Sequence, residues 1–315
     1  MNILLLGTGY LGTELLAYLP EGDCITVLDH GRNFGRLEGS RSFDPARIRL
    51  FRGDLLDRDL VEKLVGDADI VINLTGGGGN AACERDPVRY TNTYVTGMEN
   101  LVRTAERSGV GHLYLSSSIS VYPSPPPGEI LEVTESTPPK PSTLYGSLKL
   151  SAERILGESE LDSTVLRLSN IYGPTDLYPV PEGGLFGNLL NAVFDGEPLS
   201  IDGDGTQTID YVHIRDVCRC FGTLVPKPPH RRSVFNVGSG TVTQINEIAA
   251  IIAGLARENL DCSPRVVHRP PRNTILSYPL MSIDSIRKTG WSPGIGLEEG
   301  LGELFAAFER FRHRS

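Results

Sequence analysis

Two side chains four residues apart define the first chemical possibility in this chain: Tyr145 and Lys149, in the run Tyr145-Gly146-Ser147-Leu148-Lys149. On a helix they share a face, so the ammonium charge can favour phenolate over phenol and lower the tyrosine pKa. A tyrosine tuned in this way moves protons near neutral pH. The same spacing also arises by chance on any amphipathic helix with an exposed lysine. Position gives it weight, because Leu115-Ser116-Ser117-Ser118 ends a candidate strand, and residues just past the carboxyl ends of parallel strands line the ligand crevice. The Ser118 hydroxyl is then available to a substrate alcohol.

A second constellation lies at the start of the chain, in Gly7-Thr8-Gly9-Tyr10-Leu11-Gly12. It follows an apolar run and opens a helix. Gly7 permits the tight turn, Gly9 lets the backbone approach a pyrophosphate, and Gly12 lets helix and strand pack closely. The unpaired N–H groups of the helix start face the anion. Asp29, after the second apolar run, can accept from the ribose hydroxyls of a dinucleotide and repels a 2′-phosphate, which favours NAD. Arg32 nearby is the feature that would favour NADP, and an ordinary turn acid is the bland reading of Asp29.

The elements that must carry these residues alternate between short β-rich runs and helix-period segments. Strands are predicted over Ile3–Leu6, Ile25–Leu28, Ile48–Arg52, Ile70–Leu74, His112–Ser116 and Thr164–Leu168. Helices are predicted over Gly12–Leu19, which stops at Pro20, over Asp59–Val65, and over a long segment Tyr90–Arg107 that ends near Gly109. The pattern is that of an α/β fold with a Rossmann-type doubly wound parallel sheet. After Pro174 the Gly- and Pro-rich run 179–184 marks a change of texture. A smaller C-terminal α/β substrate lobe is expected there, with helices at Leu185–Phe194, Gln244–Arg257 and Leu297–Phe311. The runs Asp210–Ile214 and Val234–Gly238 look like strands returning to the sheet region. The division is therefore 1–172 and 210–240 for the cofactor domain, and 173–209 and 241–315 for the lobe.

At 315 residues the chain can bury a large core, and 39% hydrophobic with 22% charged residues is ordinary for a soluble globular protein. No apolar stretch is long enough to span a bilayer. A net charge of −9 disfavours a general nucleic-acid or anionic-membrane binder. The basic run Pro229-His230-Arg231-Arg232 reads as a solvated loop. Five scattered cysteines without a Cys-x-x-Cys pair argue for reduced thiols and against a zinc framework, so no metal is expected. The first residues run straight into a strand without a secretory leader, which together with the thiols predicts the cytoplasm.

With these motifs in order, the chain resembles the extended short-chain dehydrogenase/reductase family, in its NAD-dependent epimerase/dehydratase group acting on nucleotide sugars. The resemblance runs through the glycine turn, Gly53-Asp54-Leu55, Val71-Ile72-Asn73-Leu74, Asp86-Pro87 and the Ser-Ser-Ser-x-x-Val-Tyr run at 116–122. It continues through Tyr145-x-x-x-Lys149, the run 167–174, Gly203-Asp204-Gly205-Thr206-Gln207, Asp210-Tyr211-Val212-His213 and the run 235–240. It implies Tyr145 as acid/base, Lys149 on the nicotinamide ribose, and Ser118 on the reacting hydroxyl. It also implies Asp54 and Leu55 beside adenine, Leu74, Thr75 and Gly76 along the cofactor, and Asn170 and Ser120 bordering the substrate. The long helices 90–107 and 145–156 imply a homodimer paired across a two-fold axis.

Departures from the family pattern narrow the reaction. Dehydratases of the group carry Asp-Glu where this chain has Ile119-Ser120, and neither residue does acid/base work at neutral pH. The resemblance then points to 4-epimerisation through a transient keto intermediate. The arginine that usually precedes Asp-Tyr-Val-His and grips the diphosphate is Ile209 here, leaving Arg215, Arg269 or Arg272 as replacements. Leu6 stands where relatives have a further glycine, Tyr94 where they have Asn, and the run Gly76–Gly79 is unusual. That run reads either as room for an awkward substrate or as a flexible loop. Two alternatives stay open: a net NAD(P)-dependent ketoreductase or dehydrogenase of a sugar or related small molecule, and a dinucleotide-binding regulatory protein without catalysis.

Overall fold

The computed structural model describes residues 1–32, 34–178, 184–229, 231–271 and 277–313. Its centre is a seven-stranded sheet in which every pairing is parallel. From one edge to the other the strands are Ser233–Val237, Ser163–Leu168, His112–Ser118, Ile70–Asn73, Asn2–Leu6, Cys24–Asp29 and Ile48–Arg52. The order reverses between Asn2–Leu6 and Ile70–Asn73. In a doubly wound sheet the crevice at that reversal, beyond the carboxyl ends of the strands, is where ligands bind.

The strands Asn2–Leu6 and Ile70–Asn73 are almost continuously apolar because both sheet faces are covered. Ile3, Leu5, Ile25 and Val27 point to one core with Leu15, Leu16, Val217 and Phe221. Leu4, Leu6, Leu28 and Val71 point to the other, with Leu101, Leu148 and Ala152. A third core, in the lobe, joins Phe186, Leu190, Ile248, Ile252, Leu304 and Phe305. Ile283, Ile286 and Trp291 return from the C-terminal part of the chain to the first of these cores.

Several sequence expectations are corrected. The first helix spans Tyr10–Leu15 and gives way to turns, yet Leu16 and Leu19 remain buried. The long helical segment starts earlier, at Pro87, after Asp86 accepts the Arg89 N–H at 3.2 Å. It passes through a π-helical turn at Asn92–Gly97 before Met98–Ser108 closes at Gly109, whose φ of +71° suits glycine. Of the two returning strands, Ser233–Val237 joins the main sheet. Tyr211–His213 instead pairs with Asn170–Tyr172 in a separate two-stranded sheet, and Ile214 opens the helix Ile214–Leu224. The lobe adds two more two-stranded pairings, Leu199–Asp202 with Val266–Arg269 and Thr208–Ile209 with Thr243–Gln244.

Candidate active site

A cleft of about 300 Å³ opens at the strand-order reversal. Gly7, Gly9, Asp29, Arg32, Asp54, Leu55, Leu74, Thr75 and Gly76 line it, and Tyr90 and Thr93 close one side. Gly7 has φ +92° and donates its N–H to the Leu28 carbonyl at 2.9 Å, so the turn is pinned to the second strand. A side chain at Gly12 would run into the Gly7 carbonyl, whereas one at Gly9 would meet open space. Thus Gly12 is there for packing and Gly9 keeps the backbone bare toward the cleft. The Asp29 carboxylate accepts from Thr8 N–H at 2.8 Å and Gly31 N–H at 2.9 Å, which fixes it at the cleft wall with lone pairs left over. Asn73 anchors the opposite wall, accepting from the Thr75 N–H at 3.0 Å and hydroxyl at 2.6 Å. Tyr10 and Leu11 are not among the lining residues; the Tyr10 hydroxyl donates to the Gly173 carbonyl and both side chains pack against the core.

Ser118 is the last residue of strand His112–Ser118 and accepts the Ser120 N–H at 3.1 Å. The helix Leu144–Gly157 starts at Thr143, whose hydroxyl accepts the Gly146 N–H at 3.1 Å. Gly146 packs so tightly on the Ser120 carbonyl that a side chain could not fit. That contact sets Tyr145 beside Ser118, whose hydroxyl favours the ionised phenol. Lys149, one turn on and 4% exposed, donates to the Ser116 carbonyl at 2.7 Å, with its ammonium 5.8 Å from the Tyr145 ring centre.

The expected lowering of the tyrosine pKa is not seen in this state. Burial dominates, pushing Tyr145 up to about 12 against the opposing influence of the Ser118 hydroxyl, and pushing Lys149 down to about 8. The ammonium is directed at the Ser116 backbone carbonyl. Behind the pair, Ser117 donates to Glu153, and Glu153 is joined to Arg167 at 2.7 Å. Arg167 also donates to the Tyr122 hydroxyl at 2.8 Å, so the buried charges are paired and hydrogen-bonded.

The candidates for substrate contact scatter. Ser120 is buried beside Ser118, and Asn170 is half-buried with its backbone N–H on the Asp210 carbonyl at 3.1 Å. Arg215 is not brought to Ser118 and Tyr145: it clamps Glu303 with two 2.5 Å contacts and lines a different cleft with Glu14, Tyr18 and Arg310. Arg269 lines a further depression with Gln207 and His268. Arg272 lies outside the described residues. Ile209 packs on the lobe core.

Two residues at the site escaped sequence reasoning. Tyr278 lies beside Ser120 and Asn80 and stands close enough to Tyr145 to oppose its ionisation. No local pattern could signal this, because the contact joins segments far apart in the chain. Tyr94 packs T-shaped on Tyr145 with ring centres 6.3 Å apart, and its hydroxyl donates to the Gly76 carbonyl. Gly76, at φ +90°, has no room for a side chain because the Tyr94 ring is there. At Gly76 the missing side chain makes room for the Tyr94 ring, a use that the sequence did not suggest.

A strand-order reversal with a bare glycine turn, an acid on the second strand, and a Ser-Tyr-Lys cluster past the fifth strand define a dinucleotide-dependent enzyme of the Rossmann class. The model of the NAD dependent epimerase/dehydratase family matches residues 3–238, and the chain belongs to that family. It is 28% identical to a UDP-glucose 4-epimerase of Mycolicibacterium smegmatis, covering 98% of this chain and 97% of the relative. It is also 28% identical to a dTDP-glucose 4,6-dehydratase of Streptomyces niveus, over 94% and 89%. Among solved structures, a UDP-glucose 4-epimerase of Thermotoga maritima with UDP-glucose superposes with a TM-score of 0.84 at 26% identity, covering 99% and 100% of the two chains. A Thermus thermophilus UDP-glucose 4-epimerase in complex with NAD gives 0.82, also at 26%, over 98% and 99%.

Proposed function

We propose that this protein is an NAD-dependent epimerase that inverts C4 of a nucleotide-linked sugar. The observation that carries the reading is the meeting of Ser118, Tyr145 and Lys149 next to the Asp29 cleft, with only Ile119 and Ser120 where a dehydrating acid/base pair would stand. Similarity to 4-epimerases along nearly the whole chain supports it.

The cleft could hold NAD: Gly7 and Gly9 would offer bare backbone to the pyrophosphate, Asp29 would accept from the adenosine ribose, and Asp54 and Leu55 would lie beside adenine. Leu74, Thr75 and Gly76 would line the way to the nicotinamide, and Lys149 would hold its ribose. Arg32 lies on the same wall, but the Asp29 carboxylate would repel a 2′-phosphate, so NADP is the poorer ligand. Bound NAD supplies a reversible two-electron acceptor. Tyr145 takes the proton of the C4 hydroxyl and returns one after the keto sugar has turned its other face, while Ser118 holds the oxygen in reach. For the first of these steps the Lys149 charge must offset the burial that makes Tyr145 a resting phenol. Ser120 and Asn170 border the sugar, and Arg269 or Arg272 serves the diphosphate.

The same reading divides the chain into a cofactor domain of 1–172 and 210–240 and a substrate lobe of 173–209 and 241–315. It has two copies pair through the helices at 90–107 and 145–156, in the cytoplasm. Among the described residues no helix is long and apolar enough to cross a membrane. The test is to incubate the protein with UDP- and dTDP-linked hexoses and catalytic NAD, following anomeric protons by NMR and nicotinamide absorbance together. Interconversion of C4 epimers without net NADH supports the reading; stoichiometric NADH or NAD formation replaces it with a net oxidoreductase. Tight NAD binding with no conversion of any sugar leaves the regulatory alternative.

A further inference from the structure

Tyr94 is the departure that the proposed reaction has not absorbed. It sits on the π-helical turn Asn92–Gly97, almost fully buried, between the cofactor cleft and the Ser-Tyr-Lys cluster. The Lys149 ammonium lies over its ring, 5.1 Å from the centre, nearer than to the Tyr145 ring. The Tyr145 ring meets it at 75°, and Tyr90, which lines the cleft, stacks on it with ring centres 6.4 Å apart. The Tyr94 hydroxyl reaches the carbonyl of Gly76, another lining residue, and Gly76 is bare where the ring passes. One side chain thus touches both members of the proton-moving pair and both sides of the cofactor cleft.

We propose that Tyr94 is a positioning residue: its ring face holds the Lys149 ammonium and its T-shaped contact fixes Tyr145, while its hydroxyl ties both to the Gly76 turn of the cofactor cleft. This rests on the reading of Tyr145 and Lys149 as the reacting pair. The physical need is plain, because a buried ammonium is costly to keep charged and among the described residues it makes one hydrogen bond, to the Ser116 carbonyl. An aromatic face supplies the missing stabilisation without a counter-charge that would oppose phenolate on Tyr145. The other groups facing this ammonium are Cys83 from the helix Gly79–Arg85, and Tyr145 and Glu153 from its own helix. Tyr278 approaches from beyond Tyr145. Glu153 is committed to Arg167, and of the two aromatic faces at Lys149 the Tyr94 ring is the nearer.

The experiment reads Lys149 directly and needs no substrate. The chain has five lysines, so ¹³Cε-lysine NMR with Lys149→Ala for assignment gives the titration of this one group. Tyr94→Phe keeps the ring, and site-specific fluorinated phenylalanines at 94 keep its shape while draining the π-face, so the fold is preserved through the series. Lys149 in Tyr94→Phe should titrate close to its wild-type midpoint. Successive fluorination should lower the midpoint progressively, by about half to one and a half pH units at trifluorination, the shift that losing a cation–π contact implies. Tyr94→Phe should in addition weaken NAD binding roughly threefold to tenfold, through the lost hydroxyl anchor on Gly76. A Lys149 midpoint that ignores fluorination overturns the proposal, whatever the sugar assay shows. A graded shift in a protein that converts no nucleotide sugar would keep this role for Tyr94 and remove the epimerase reading.

Discussion

The main sheet and the short strand pairs outside it are built differently. In the sheet the first four strands of the chain and the turns between them create the cleft; Asp29 is fixed by the Thr8 N–H, Asn73 by the Thr75 N–H, and Gly7 by its N–H on the Leu28 carbonyl. Outside that sheet, two-residue to four-residue strands pair across long gaps, such as Leu199–Asp202 with Val266–Arg269, and Glu132–Val133 meets Leu280–Met281. Ile209 belongs to such a long-gap pairing and Tyr278 adjoins one. The comparison teaches that the cleft is shaped by segments next to one another in the sheet, whereas the short pairs depend on contacts between segments far apart in the chain.

The first way to break that comparison is Tyr145→Phe. Loss of the proton acceptor should cut turnover on the order of a hundredfold to ten-thousandfold while NAD affinity, set by the cleft, stays near wild type. Steady-state kinetics with NAD titration calorimetry checks both halves, and full activity in the variant would remove the triad from the mechanism. Next in size is Arg167→Ala, which leaves Glu153 as a buried charge without its ion-pair partner beside Ser117. Denaturant unfolding should show a loss of about 3–5 kcal/mol, and replacing both partners with apolar residues should recover most of it. Asp29→Ala comes third: the ratio of NAD to NADP affinity should fall about tenfold or more, since a charged hydrogen-bond acceptor is lost and a repulsion relieved. An unchanged ratio would put Arg32 in control of the pocket. The smallest effect is expected from Arg215→Ala, because its half-exposed pair with Glu303 lies in another cleft. Stability should change by less than about 1 kcal/mol and the substrate KM should not move. A large rise in KM would place the diphosphate on that side after all.

How much was legible follows the same division. The strands, the glycine turn and the shared helix face of Tyr145 and Lys149 were readable because each depends on residues a few positions apart or on a period. The helix Ile214–Leu224 was hidden behind an apolar strand-like run that ends where His213 caps it. The strand Tyr211–His213 looked right as a strand, but its partner is chosen by tertiary packing. Tyr94 was visible as a departure, yet its meaning required Gly76 and Lys149 to be placed around it. The tyrosine pKa went the other way from expectation because spacing predicts which charges are near, and burial decides how much the site costs to ionise.

The most direct test of the account is to follow deuterium at the reacting carbon. Incubated with UDP-galactose deuterated at C4 and unlabelled NADH in the medium, the protein should release UDP-glucose that keeps its C4 deuterium, because the two electrons leave and return within one closed active site. Transfer of the label to free NADH, or its loss from a product whose C4 has been inverted, would contradict the account.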